Sequence, residues 1–478
     1  MSVERAEELK NEGNQHFKNG NYQMAISFYS RAISATPDAA PLYGNRSAAW
    51  MMIGQQSGQP TAFQECINDC AKALNIDPAF MKAVIRVIKA LVHTGKFAAA
   101  KESAEKALAA HPDWKEVSEA KAEAHNVERY VNEARTQLQA GNAARAQEVL
   151  AAAESKLQGC AEHKLLLAEA ELLLGNSPQT LRHTLTVINA DSSSVEAYYL
   201  RGEALYVTQN LEQAKKHFQE ALRMNPDHSK ASKAFKRLRG IERALEAGRA
   251  AVSARDYTEA VEQFTKAATV LDQPPENPML KAVVAGERGN AHFRLKDYPA
   301  AVDDCTLALD QGCSGAANTA PLVTRSMAHT AMGEYEKAVQ DLETAHEMDP
   351  ENPAIKDRLK KAQMELRKSK RVDYYAVLGI AESATEAEIK KAYRVKALEW
   401  HPDKHNSSDE AREKANEMFR AIGEAQEILS DPTKRQMYDE GCDKEQIEQQ
   451  AQMRKQQEEM FGGMGGMGGM GGMGGMGG

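Results

Sequence analysis

The stretch VEAYYLRGEALYVTQNLEQAKKHFQEALRMNPDH, residues 195–228, carries the pattern that decides the fold. Two small residues, Ala214 and Ala221, lie seven positions apart, and Pro226 follows five positions later. The same spacing recurs in the sets Ala25/Ala32/Pro37, Cys66/Ala73/Pro78, Ala100/Ala107/Pro112 and Ala338/Ala345/Pro350. Small side chains let two short helices pack closely, and a proline ends the second helix. The pattern therefore predicts an all-α protein built from repeated helical hairpins.

Glycines recur in phase with these sets, at the turn between the helices of a pair: Gly20, Gly95, Gly141, Gly175 and Gly333. Period and pattern match the tetratricopeptide repeat (TPR) of about 34 residues. We count about nine repeats, at 6–39, 40–80, 81–113, 127–160, 161–194, 195–228, 241–274, 282–315 and 319–352. A generic Ala-rich helical bundle is the alternative. It is disfavoured because the offsets recur with the turn glycines in phase.

The stretches 114–126 and 229–240 interrupt the period and divide the array into three modules of three repeats. Glycine at the density found at the end of the chain cannot bury enough surface to fold. The predicted organisation is a first TPR module at 1–126, a middle module at 127–240, a last module at 241–352, a helical linker at 353–371, a separate domain at 372–442, an exposed polar helix at 443–460 and a flexible Gly/Met tail at 461–478.

Bulk composition excludes several classes of protein. The chain has 478 residues, a net charge of −8 and no polybasic block, so no nucleic-acid partner is expected. The N-terminus lacks the apolar segment of a secretory signal, and no run of about 18 apolar residues predicts a membrane span. No CxxC pair occurs among the six cysteines, which argues against zinc and suits a reducing compartment. We expect a cytoplasmic protein, with the nucleus left open, that needs no metal or cofactor.

Three of the cysteines, Cys66, Cys70 and Cys305, fall at packing positions of their repeats. Small buried residues belong at those positions, which favours a structural role over a redox role.

The first module carries polar side chains at aligned positions on the first helix of each repeat, when Gly20, Gly54 and Gly95 are superposed. They are Lys10, Asn14, Asn45, Lys82 and Arg86. Spacings of four place side chains on one helix face, and in the repeat frame this face borders the concave groove. Three cations and two carboxamides predict a site for more than one carboxylate, because cations neutralise charge and Asn donates directed hydrogen bonds. Simple solvation is the alternative for any one of these residues.

The segments LKNEGN, LYGNRSAAW and KAVIR resemble the two-carboxylate-clamp modules of chaperone adaptors, and all five clamp positions match. The resemblance implies a ligand ending in Glu-Glu-Val-Asp, the tail of cytosolic DnaK-class (heat shock protein 70) or heat-shock-ninety-class chaperones. One departure is GQQSGQP at 54–60, which predicts a longer loop away from the groove and an intact clamp.

The other two modules do not show this pattern. The aligned positions of the last module hold Leu245, Arg249, Glu287, Ala320 and Thr324, and those of the middle module hold Val131, Arg135, Leu166, Glu196 and Leu200. Glu287 is expected to repel a carboxylate where Asn45 attracts one. An unfolded chain, another protein or no ligand all remain open for these modules.

After Lys370 the pattern changes. DYYAVLGI at 373–380 precedes a capping box, Thr385 with Glu388, which opens a helix ended by Pro402. A second helix is predicted at 409–430. The first helix carries an apolar stripe of Ile389, Ala392, Tyr393 and residues 396–398, and a basic stripe of Lys390, Lys391 and Arg394.

With DYY..LG, EIKKAYR.KAL, HPD and KR..YD..G in order, residues 372–442 resemble the J domain. The resemblance implies that His401, Pro402 and Asp403 contact the ATPase domain of a DnaK-class chaperone. It also implies that charge from Lys390, Lys391, Arg394 and Lys404 orients the contact, with Tyr393 packed nearby. A catalytic His401 is rejected, because no nucleophile or second acid lies at a useful spacing.

Both parts together resemble the class C J-domain proteins with nine repeats. The resemblance implies a non-enzymatic co-chaperone that binds chaperone tails and stimulates ATP hydrolysis by a DnaK-class partner, aiding client folding or transfer. The alternative is a holdase whose middle and last modules bind unfolded clients, similar to the lumenal nine-repeat J proteins. Those proteins need a secretory signal and lack the clamp, and this sequence shows the opposite on both counts.

Overall fold

The computed structural model describes residues 3–311, 319–405 and 408–462, with side chains described up to residue 453. All regular secondary structure within these ranges is helical, which confirms the predicted all-α fold. The array consists of α1 (Val3–Lys18), α2 (Tyr22–Ala35), α3 (Ala40–Ser57), α4 (Pro60–Ile76), α5 (Met81–His93), α6 (Phe97–Ala110), α7 (Lys115–Gln139), α8 (Ala143–Ala153), α9 (Ala161–Leu173), α10 (Ser177–Ala190), α11 (Val195–Val207), α12 (Leu211–Met224), α13 (Ser229–Ser253), α14 (Tyr257–Leu271), α15 (Pro278–Arg294), α16 (Tyr298–Asp310), α17 (Thr319–Ala331) and α18 (Tyr335–Met348).

The helices after the array are α19 (Pro353–Lys370), α20 (Tyr374–Leu378), α21 (Glu386–Glu399), α22 (Asp409–Ser430), α23 (Pro432–Asp439) and α24 (Lys444–Gly462). None of the helices in the described ranges is long and apolar enough to cross a membrane. The chain divides into two compact units, one of residues 1–246 with 269–280 and one of residues 247–268 with 281–478. The predicted Gly/Met tail lies outside the described residues from position 463 onward.

Each predicted repeat contains one pair of helices, from α1–α2 to α17–α18. The recurring small residues are buried between them: Ala214 and Ala221 have no exposed surface, and neither have Cys66, Cys70 and Cys305. These cysteines therefore occupy packing positions, as predicted.

The two stretches that interrupt the repeat period are helical. Residues 115–126 and 229–240 form the first halves of α7 and α13, each 25 residues long, and Trp114 is the residue just before α7. The predicted boundaries between modules therefore fall inside continuous helices. The division into three modules stays a prediction about the repeat pattern.

The expectation of a longer loop at GQQSGQP is wrong, because these residues extend two helices. α3 runs to Ser57 and α4 starts at Pro60, so only two residues form the turn. Seven inserted residues are close to two helical turns, so each helix gains about one turn and keeps its phase. The pair Arg46–Asp69, 23 residues apart, accordingly matches Arg288–Asp304, 16 residues apart, at 2.7 and 2.6 Å.

The predicted linker at 353–371 is the helix α19, and it packs on the end of the array. Ile355 joins Leu322 and Ala345 in one apolar cluster, and Ala362 joins Val339 and Leu342 in another. The helix therefore covers the apolar surface of the last repeat before the chain enters the next domain.

Residues 372–442 form a small helical domain around a core that includes Tyr375, Leu378, Ile389, Ile422 and Leu429. Arg371, at the end of α19, places its guanidinium carbon 3.6 Å from the centre of the Tyr438 ring. The chain thus passes from α19 into this domain against Tyr438 of α23.

Two expectations about this domain need correction. Leu398 was expected on the apolar stripe of α21 but is 64% exposed, because nine residues after Ile389 is the opposite side of a helix. The polar helix predicted at 443–460 is not exposed throughout, because Ile447 is fully buried in the core of the domain.

Candidate functional site

The first candidate site is the surface formed by α1, α3 and α5, called here the first-module groove. Asn14 on α1 and Asn45 on α3 meet across it, with Asn45 Nδ2 donating to Asn14 Oδ1 at 3.2 Å. Two side chains 31 residues apart are thus brought into contact by the repeat, which sets equivalent helices side by side. Both are half-buried, so the surfaces that remain face solvent.

Arg86 joins this pair from α5. Its guanidinium donates to the Gly44 carbonyl at 2.8 Å and to the Ser47 hydroxyl at 3.0 Å, on either side of Asn45 in the chain. Ser47 is fully buried and donates in turn to the Gly44 carbonyl at 2.8 Å. A guanidinium has five N–H donors, so these bonds hold Arg86 while leaving donors for a ligand.

The two predicted lysines of the site lie one turn before Asn14 and Arg86 on the same helices. Lys10 pairs with Glu7, while Lys82 is exposed. Within the described part of the chain, neither lysine is hydrogen-bonded or ion-paired to the other three residues. The structure therefore bonds Asn14 to Asn45 directly and anchors Arg86 on the residues that flank Asn45, Gly44 and Ser47.

Tyr29, which lies beneath Asn14, is not among the predicted site residues. The Tyr29 hydroxyl donates to Asn14 Oδ1 at 2.8 Å, and burial raises the pKa of Tyr29 to about 12. The Tyr29 ring covers Gly13 so closely that a Cβ there would lie 2.6 Å from a ring carbon. The signal was present in the sequence, since Gly202–Phe218 and Gly248–Phe264 repeat the same spacing.

The aligned positions of the last module show a different chemistry. Glu287 is not unpaired, because Arg249 donates to its two carboxylate oxygens at 2.6 to 3.0 Å. Hydrogen bonding to Glu287 raises the pKa of Arg249. In the middle module Arg135 pairs with Glu162, and Glu196 lies 3.0 Å from His228.

The second candidate site is the tip of the α21–α22 hairpin. Pro402–Lys404 form one turn of 3-10 helix, and His401 Nδ1 accepts from the Asp403 backbone N–H at 3.3 Å. In a neutral ring this bond assigns the proton to Nε2. The side chains of His401 and Asp403 are 47% and 88% exposed. The tip therefore presents an imidazole and a carboxylate on a fixed turn.

Hydrogen bonds tie this turn to the end of α21. Lys404 Nζ donates to the Leu398 carbonyl at 2.7 Å, and His405 Nε2 lies 3.0 Å from the Glu399 carbonyl. Both satisfy carbonyls that a helix end leaves without partners. His401 also packs edge-on against Phe419 of α22, a contact the sequence did not suggest.

The predicted basic residues lie along α21. Lys391 and Arg394 are exposed, whereas Lys390 pairs with Glu386 at 2.5 Å and lowers the pKa of that carboxyl. Tyr393 is half-buried against the core of the domain. No group of three or more His, Cys, Asp or Glu side chains in the described ranges is arranged to hold a metal ion.

Comparisons with known proteins identify the repeats and the domain that follows them. A family model for the DnaJ domain matches residues 373–439, and tetratricopeptide-repeat models match 131–179, 195–228, 245–317 and 321–352. The crystal structure of the P58(IPK) TPR domain aligns with a TM-score of 0.53 at 19% identity, over 77% of this chain and 99% of that one. At that identity the likeness shows the fold alone.

Repeats followed by a J domain define the class as a TPR co-chaperone. The chain is 33% identical over 441 residues to DnaJ homolog subfamily C member 7 of Homo sapiens, covering 92% of this chain and 86% of that protein. A Dictyostelium discoideum homolog of that protein is also 33% identical, over 91% of this chain and 80% of its own length. The chain belongs to the DnaJ homolog subfamily C member 7 family.

Proposed function

We propose that this co-chaperone binds the C-terminal carboxylate of a chaperone tail in the first-module groove. We further propose that its J domain stimulates ATP hydrolysis by a DnaK-class (heat shock protein 70) chaperone, without catalysis of its own. The observation that carries the proposal is the convergence of Asn14, Asn45 and Arg86, three side chains from three repeats. A heat-shock-ninety-class tail is the second expected ligand.

The groove supplies what a terminal carboxylate requires. Two carboxamides and one guanidinium offer N–H donors, and hydrogen bonds to a charged acceptor are about twice as strong as neutral ones. Lys10 and Lys82 add positive charge at the edge, where they attract an acidic tail over a distance set by ionic strength. Binding is therefore expected to weaken with salt.

The tip acts on a partner rather than on a substrate. Its turn is held by its own hydrogen bonds, so His401 and Asp403 meet the partner with little loss of conformational freedom. Lys391 and Arg394 on α21 supply charge that orients the encounter. The bond that is hydrolysed belongs to ATP held by the partner, and the co-chaperone aids the folding or transfer of client proteins in the cytoplasm.

The first test is titration of the full chain with two tail peptides ending in Glu-Glu-Val-Asp, one with a C-terminal carboxylate and one amidated. The carboxylate peptide is expected to bind at least tenfold tighter, because only that peptide offers the donors a charged main-chain carboxylate. Equal affinity for both peptides would exclude a carboxylate clamp.

The second test is single-turnover ATP hydrolysis by a DnaK-class chaperone with the variant Asp403→Asn. Stimulation is expected to be lost while the thermal melt is unchanged, because the Asp403 side chain is 88% exposed. Glu382→Gln is the matched control, since it removes one exposed charge near the base of the hairpin. Full stimulation by Asp403→Asn would show that the tip does not act on the ATPase.

A further inference from the structure

The carboxamide of Asn14 is oriented by two hydrogen bonds to the same atom. Oδ1 accepts from the Tyr29 hydroxyl at 2.8 Å and from Asn45 Nδ2 at 3.2 Å. A carbonyl oxygen has two lone pairs, so both are engaged. The amide nitrogen, Nδ2, is then the atom that Asn14 offers to a ligand.

The same ring position in other repeats provides an internal comparison. An aromatic ring packs on a glycine sixteen residues before it in Gly13–Tyr29, Gly202–Phe218 and Gly248–Phe264. The residues after these glycines are Asn14, Glu203 and Arg249. Among these three repeats, the first has a hydroxyl on the ring, at Tyr29, and a carboxamide after the glycine, at Asn14. In the other two, Phe218 and Phe264 pack on the glycine without a hydroxyl, so packing does not require one.

We propose that Tyr29 is a positioning residue that makes the first-module groove selective for a free carboxylate. The inference rests on the proposed function of this groove as a carboxylate clamp.

Both orientations of an amide have nearly the same shape, so packing alone does not choose between them. In the observed orientation Nδ2 donates toward the ligand, which favours a carboxylate. In the flipped orientation Oδ1 would face the ligand, repel a carboxylate and accept from an amide N–H. In the flipped orientation the Tyr29 hydroxyl could accept from Nδ2, but its own proton would lose the Oδ1 acceptor. Tyr29 is only 1% exposed, so that buried donor would be left without a partner and opposes the flip.

The test is Tyr29→Phe in the full chain, titrated with the acidic tail peptide and its C-terminal amide. The ratio of the two affinities is expected to fall by about five- to tenfold, as one neutral hydrogen bond is worth roughly that factor. The loss of affinity should occur mainly with the peptide that has a free C-terminal carboxylate. The melting temperature should change little, because Phe already fills this position at Phe218 and Phe264.

Two further variants separate positioning from general damage. Tyr22→Phe removes a hydroxyl from the same helix, and that hydroxyl forms no hydrogen bond within the described residues, so the ratio should stay at its original value. In an Asn14→Ala background, Tyr29→Phe should change nothing more, because the amide to be oriented is gone. An equal effect in both backgrounds, or an unchanged ratio in Tyr29→Phe, overturns the inference. The proposed clamp itself fails separately, if the parent binds both peptides equally.

Discussion

The first and last modules place side chains in contact at the same aligned positions, yet the two contacts differ in chemistry. Asn14 and Asn45 share one neutral hydrogen bond at 3.2 Å. The aligned residues Arg249 and Glu287 form a two-pronged ion pair whose closest approach is 2.6 Å. The shared geometry supports the repeat alignment. The repeat fold thus brings the aligned side chains into contact, and their chemistry decides which groups remain available to a ligand.

The difference lies in what remains for a ligand. The amide pair leaves N–H donors, and Arg86 brings a cation beside it. In the last module Glu287 satisfies Arg249, and Thr324 stands where Arg86 does. The Glu287 carboxylate already binds the Arg249 guanidinium. It therefore competes with a tail carboxylate for Arg249, which replaces the expected repulsion of the tail by Glu287. A similar surface is therefore not evidence of a similar ligand.

The largest expected effect comes from Arg86→Ala. Removing this charged donor should weaken binding of an acidic tail peptide by about 1.5–3 kcal/mol. The aligned substitution in the last module, Thr324→Ala, is the matched control and should leave affinity unchanged. Calorimetric titration of the full chain measures both. Unchanged affinity with Arg86→Ala, or an equal loss with both variants, contradicts the proposed assignment of the clamp.

A smaller effect is expected when the last module loses its internal carboxylate. In the Arg86→Ala background, Glu287→Gln makes the Arg249 guanidinium available and should raise the residual affinity by about 1 kcal/mol or less. Glu343→Gln removes an exposed carboxylate from α18 and serves as the control. A residual affinity that does not rise with Glu287→Gln, or that rises equally with Glu343→Gln, contradicts competition by Glu287.

The smallest effect is on stability. The Arg249 side chain is 58% exposed, so Glu287→Gln should lower the free energy of unfolding by no more than about 0.5 kcal/mol. Asn45→Ala, at the aligned position of the first module, should have a similarly small effect. Chemical denaturation of the full chain measures both. A loss of several kcal/mol in either variant would mean that the contact stabilises the array rather than serving a ligand.

Local pattern predicted most of the fold. The small residues seven apart, the turn glycines and the capping box at Thr385 all act within a few turns of helix, and the structure shows helices there. Local pattern failed at 54–60, where Gly and Pro suggested a loop. Seven residues are nearly two helical turns, so they lengthen α3 and α4 while the two helices remain packed against each other.

The sequence predicted which residues belong to the candidate sites but not which of them contact each other. Helical phase placed Lys10 with Asn14 and Lys82 with Arg86, because spacing along one helix is a property of the sequence. The bond between Asn14 and Asn45 depends on how two repeats stack. So does the Ser47 hydroxyl beside Arg86, whereas the Tyr29 hydroxyl beneath Asn14 depends on how α2 packs on α1 within one repeat.

The sequence by itself determined the repeat period, the presence of a J domain after the repeats and the residue types at the aligned positions of the first module. All of these follow from spacings and motifs along the chain. The tertiary structure alone decided that Glu287 is neutralised by Arg249, 38 residues away, and that Ile447 is buried in the J-domain core. The physical reason is that a side chain's partner and burial are set by neighbours across a packing interface, which no spacing along the chain specifies.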